Sequence, residues 1–120
     1  MVLGKFRIHL GVCDAGRSAA FYEALLGATP SRRDAMTAVF ELDSPPLVLT
    51  VEQDPRAKPD VRSRFALFVD EPRLIGDVAI ALRRAGVRLR LEDEGIETHD
   101  PDGNAWRVRF APSTRGRSVR

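Results

Sequence analysis

The sequence is short of the residues that build cross-links and metal cages. It has one cysteine, Cys13, among 120 residues. No internal disulfide can form, and no multi-cysteine metal site exists. Histidine is nearly as scarce, with His9 and His99 alone. Lysine is reduced to Lys5 and Lys58, so 17 of the 19 basic residues are arginines. With so broad a bias, no arginine marks a site by its presence alone. Apolar runs are short and interrupted, which excludes a membrane-spanning helix. The start, MVLGKFRIHL, has one early lysine and no apolar run of signal-peptide length. The expectation is a cytoplasmic protein with no membrane partner.

What is present is ordinary globular material, 43% hydrophobic and 30% charged. The length suits one domain with a sizeable core of its own. The net charge of +2 is misleading. Residues 112–120 carry Arg115, Arg117 and Arg120 and no acid, so the first 111 residues sum to −1. Nucleic-acid binding asks for a basic folded domain with a patch, and is not expected here. The tail 112–120 reads as a disordered, basic, solvated end.

Local patterns divide the rest. Residues 5–12 alternate, with Phe6, Ile8, Leu10 and Val12 on one face and Arg7, His9 and Gly11 on the other. That predicts a strand with one buried face. Asp14 is a good N-cap for a helix over 15–26, which Gly27 closes. β-rich runs follow at 37–42 and 47–51, separated by a turn signal, Asp43-Ser44-Pro45-Pro46. Residues 54–61 read as a linker. The order then repeats. A strand is predicted at 64–69, a helix at 73–85 with Pro72 at its first position, and strands at 87–91, 96–99 and 106–110.

The chain therefore reads as two β-α-β-β-β units in one α+β domain, residues 1–111. Module one spans 5–53, the linker 54–61 and module two 62–111. An internal duplication of this kind predicts two tandem βαβββ modules whose eight strands curve as a sheet around a shared cavity.

Three segments sharpen this reading. They are HLGV near the start, Ser18-Ala19-Ala20-Phe21-Tyr22-Glu23-Ala24-Leu25-Leu26-Gly27 in the first helix, and Asp100-Pro101-Asp102-Gly103-Asn104-Ala105-Trp106 near the end. Together they resemble the glyoxalase/bleomycin resistance/dioxygenase group, the vicinal oxygen chelate superfamily. The run Phe40-Glu41-Leu42-Asp43-Ser44-Pro45-Pro46-Leu47-Val48 looks most like the branch of C–As lyases and cadmium-induced proteins. The resemblance implies a homodimer of paired modules and, for the enzymes, one divalent metal inside the cavity. The metal ligands carry over poorly. His9 matches the ligand of the first strand, but Arg64 and Arg107 stand where a histidine and a glutamate belong. Leu49 is the best match for an occasional fourth ligand. Guanidinium has no lone pair to offer a metal, so no cofactor is expected. A C–As lyase would also need a cysteine pair, and only Cys13 is present.

Strand alternation gives the cavity face independently of the family. His9 brings Arg7 inward, Arg107 brings Arg109, and Arg64 brings Phe68. Either Glu97 and His99 or Ile96 and Thr98 face in; the apolar Ile96 favours the first pair. Leu47, Leu49 and Phe68 would supply the apolar wall. The candidate ligand-binding residues are thus Arg7, His9, Arg64, Glu97, His99 and Arg107. Two readings of the arginines stay open. They bind an anionic small molecule in place of the metal, or they pair with Glu97 and fill the old metal volume. Three functions follow: a metal-independent binding protein that sequesters or senses a small anion; a metal-dependent lyase, isomerase, transferase or dioxygenase using His9, Glu97 and His99; or an interaction module with a closed cavity. Cys13 lies about 13 Å along the chain from His9 at roughly 3.3 Å per residue, too far for a Cys–His pair. Tyr22 and Trp106 read as core, and 102–104 as turn residues.

Overall fold

The computed structural model describes residues 4–43, 46–57 and 63–111. Part of the linker, 58–62, and the whole tail, 112–120, lie outside the described residues, as do 44 and 45 of the Asp43–Pro46 turn.

Module one begins with β1 (Phe6–Val12), whose Ile8, Leu10 and Val12 turn toward the core while His9 stays exposed. The chain leaves it through Asp14, whose carboxylate accepts the backbone N–H of Arg17 at 3.0 Å and caps α1 (Ala15–Leu26). α1 buries Ala15, Ser18, Ala19, Phe21, Tyr22 and Leu25 along one stripe. It ends at Gly27, whose φ of 63° puts it in the left-handed region, where glycine carries no Cβ penalty. Three strands follow: β2 (Arg32–Arg33), β3 (Thr37–Asp43) and β4 (Pro46–Gln53). Module two repeats the plan with β5 (Arg64–Val69), α2 (Pro72–Arg84), β6 (Leu89–Glu92), β7 (Gly95–His99) and β8 (Ala105–Phe110). Pro72 does occupy the first turn of α2.

The eight strands form two four-stranded sheets, β1-β4-β3-β2 and β5-β8-β7-β6, with identical internal order. In each, the first strand runs parallel to the last and the remaining pairs are antiparallel. This is the α+β fold of two tandem βαβββ modules. The helices pack on one face of the sheets and on each other, and both modules feed one core that includes Tyr22, Phe40, Leu82 and Trp106.

Register decides which residues face away from that core. In module one, Leu47 and Leu49 pair with Phe6 and Ile8 on the helix side and are buried. They do not share the open sheet face with His9, and Leu49 cannot hold a ligand there. Val48, Thr50 and Glu52 share the open face with Arg7, His9 and Gly11. The run Leu47-Val48-Leu49 is apolar on both faces, so alternation alone could not set its phase.

Candidate functional site

The open face of module two gathers most of the candidate residues. Arg64 and Ala66 on β5 lie beside Ala105 and Arg107 on β8, and Arg107 lies opposite Glu97 on β7. Ile96 and Thr98 face the helices and are buried. Arg64, Phe65, Ala66, Glu97, Ala105 and Arg107 surround a pocket of about 180 Å³.

Two further residues, absent from the sequence reading, complete the charge pattern. Arg90 Nη2 lies 2.7 Å from Glu97 Oε1 and 3.2 Å from Glu92 Oε2. Arg107 reaches the same two acids, with Nε 3.3 Å from Glu97 and Nη2 3.5 Å from Glu92. Two arginines and two glutamates thus close an alternating ring of charge. Arg109 lies 3.7 Å from Glu94. Arg64 has no acidic partner among the described residues. Of Arg64 and Arg107, only Arg107 is committed to ion pairs among the described residues.

Module one places Arg7 and His9 on its own sheet, separate from this pocket. His9 Nε2 meets Glu52 Oε1 at 3.0 Å, and both side chains are more than half exposed. The partner of His9 is therefore Glu52, rather than Glu97 or His99. His99 lies at the end of β7, where it is exposed. His9, Glu97 and His99 do not converge: among the described residues no group of three His, Cys, Asp or Glu side chains could hold a metal ion.

The Asp100–Asn104 turn does structural work. Asp100 is buried and accepts the Tyr22 hydroxyl at 2.5 Å, the Asn104 amide side chain at 2.8 Å, and the backbone N–H groups of Asp102 and Asn104. Trp106 Nε1 donates to the Tyr22 oxygen at 3.1 Å. Burial and the Asp100 charge hold the Tyr22 hydroxyl protonated, far above the usual phenol range. Asp102 accepts the backbone N–H of Cys13 at 3.0 Å, and Asn104 accepts that of Ser63 at 2.8 Å. The motif is a bolt between the modules.

This architecture defines a class, and comparison with known proteins gives the family. The family model for the glyoxalase/bleomycin resistance protein/dioxygenase superfamily matches residues 6–108. The chain belongs to that superfamily. Similar solved structures include a glyoxalase/bleomycin resistance protein from Catenulispora acidiphila, 22% identical, with a TM-score of 0.69 over 92% of this chain and 100% of that one. A glyoxalase-related enzyme from Fulvimarina pelagi is 21% identical, with a TM-score of 0.65 over 92% of this chain and 89% of that one. A glyoxalase/dioxygenase from Nostoc punctiforme is 20% identical, with a TM-score of 0.69 over 89% and 90%. At such identities these neighbours speak for the fold alone. No curated protein sequence matches. No helix among the described residues is long and apolar enough to cross a membrane.

Enzymes of the superfamily often hold a divalent metal, but the residues here do not fit one. His9 stands on a different sheet from Arg64 and Arg107, and neither guanidinium has a lone pair to offer a metal ion.

Proposed function

We propose that the protein binds a small anionic molecule without a metal, to sequester or sense it. The observation that carries this reading is Arg64. It lines the 180 Å³ pocket beside Arg107 and lacks an acidic partner among the described residues. An unclaimed guanidinium offers a bidentate fork to carboxylate or phosphate. Arg107, oriented by Glu92 and Glu97, supplies a second donor edge.

The pocket is small for an organic ligand, since such sites usually measure roughly 300–1,000 Å³. A second copy of the chain would enlarge it. β1 and β5 are edge strands of their sheets. Phe6 and Phe68 near these edges are 71% and 60% exposed. They border an apolar groove of about 500 Å³ that also includes Ile8, Leu47, Leu67 and Trp106. We read this groove as the seat of a homodimer that pairs β1 of one copy with β5 of the other. Arg7 and His9 of one copy would then stand near Arg64 and Arg107 of its partner. Light scattering is expected to give a dimer for the native protein and a monomer for Phe6→Asp or Phe68→Asp. The likeness of residues 40–48 to the C–As lyase and cadmium-induced branch supports kinship with it, although a thiol pair is lacking, since Cys13 is the single cysteine. A cytoplasmic setting agrees with one cysteine and no disulfide.

Calorimetry with inorganic phosphate and acetate tests the function. A saturable component that Arg64→Ala removes and Arg17→Ala leaves in place supports it. Stoichiometric metal in the purified protein, lost on His9→Ala, would overturn the metal-independent reading. The enzyme reading then regains ground, with Glu52 as the orienting partner of His9.

A further inference from the structure

A second cleft lies away from the open sheet faces, where α1 of module one meets the α2–β6 connection of module two. It measures about 350 Å³, and three of the residues around it are Arg17, Arg88 and His99. Its apolar surface includes Phe21, Val87 and Pro101, and no acid among the described residues lines it.

Each of these three side chains hangs from backbone that the fold fixes. Arg17 projects from the first turn of α1, which Asp14 anchors through the Arg17 backbone N–H. Gly86, at φ 76°, turns the chain back after α2, and the Val87 N–H bonds the Leu82 carbonyl at 2.9 Å. Arg88 follows directly, its carbonyl pinned by the Thr98 hydroxyl at 2.7 Å. His99 is the last residue of β7 and pairs with Ala105. The nearby acids are engaged elsewhere. Asp100 is buried under Tyr22 and Asn104, and Asp102 accepts the Cys13 N–H. Neither Arg17, Arg88 nor His99 makes an ion pair among the described residues.

Two guanidinium groups around one concave surface create a like-charged focus, which an oxyanion relieves, and the His99 imidazole adds a hydrogen-bonding edge beside them. We propose that this cleft is a binding site for a small organic anion, a phosphate or carboxylate on an apolar body. The charged end meets Arg17, Arg88 and His99, and the body rests on Val87 and Pro101. The site is separate from the Arg64 pocket and does not depend on the function proposed for it.

The test is an NMR titration of the native protein with phenyl phosphate, benzoate and inorganic phosphate. The Gly86 and Val87 amides and the His99 ring are expected to shift saturably, with dissociation constants on the order of 1 mM. Arg17→Ala and Arg88→Ala are each expected to weaken binding about tenfold, the scale of one charge-assisted contact. Arg64→Ala leaves it unchanged. Both arginines are exposed, so a thermal melt should show these variants folded. Stronger binding of phenyl phosphate assigns the phosphate source, and stronger binding of benzoate the carboxylate. Absence of saturation, or binding equal to native in the arginine variants, overturns the site. Equal affinity for inorganic and phenyl phosphate overturns the role of the apolar floor.

Discussion

Arg64 and Arg107 occupy the same face of the same sheet, yet among the described residues only Arg107 is claimed by acids. The difference can be measured. Glu97→Gln removes one carboxylate from between Arg90 and Arg107 and leaves Glu92 as their shared partner. The variant is expected to bind inorganic phosphate at the Arg64 pocket about threefold or more tightly, since a repelling charge is gone. Its stability should change by less than about 1 kcal/mol, as for exposed ion pairs. Titration calorimetry and urea denaturation check the two parts. Cys13 offers a second residue-scale prediction. Its thiol pKa is raised by a hydrogen bond to Asp102, then by desolvation and the carboxylate's charge. Less thiolate is therefore present at any mildly alkaline pH, and iodoacetamide should alkylate Cys13 more slowly than free cysteine. Asp102→Asn should speed the reaction, as followed by mass spectrometry. Alternation made the faces of Arg7, His9, Glu97 and Arg107 legible in the sequence. It could not show that Arg90 and Glu92 complete the ring, because ion partners depend on register between strands. Residue 92 lies just past the strand predicted at 87–91, whereas it ends β6 and pairs with Gly95.

Caps were the most legible features at the level of elements. Asp14, Gly27 and Pro72 act within one turn of chain, so neighbouring residues alone determine them. β2 went unseen because two residues, Arg32 and Arg33, hold no pattern. The predicted strand at 87–91 starts instead at Leu89, since Val87 is drawn back to the end of α2. Gly95 shows a requirement that only packing reveals. A Cβ at this position would stand 1.9 Å from the Val108 carbonyl oxygen. That atom belongs to the β8 backbone and cannot swing aside. Gly95→Ala is expected to destabilise the protein by about 1–3 kcal/mol, the usual effect of overpacking. The midpoint of urea unfolding reads it.

On the scale of the whole molecule, the repeated order of elements was legible, and the contact between the repeats was not. Tyr22 lies in module one and Asp100 in module two, 78 residues apart, and neither position advertises the other. Tyr22→Phe leaves Trp106 Nε1 without its acceptor and takes one of four donors from Asp100. A loss of about 1–3 kcal/mol is expected, as for a buried polar group left unpaired. Ligand identity is a different matter. Under the proposed function it depends on Arg64, Arg107 and a second copy, and neighbours about 20% identical share the fold without fixing such a site.

The bolt at Asp100–Asn104 has a consequence for how the protein comes apart. A duplicated chain can in principle melt one copy at a time. Here module two places its buried carboxylate under a tyrosine of module one, and the Asp102 side chain holds the end of β1 through the Cys13 amide. Neither repeat can open without stranding polar groups of the other. Trp106 fluorescence and backbone circular dichroism should follow a single coincident transition. The amides of Asp102 and Asn104 should exchange only through global opening. Two ancestral halves would then survive as a pattern in the sequence while unfolding as one indivisible unit.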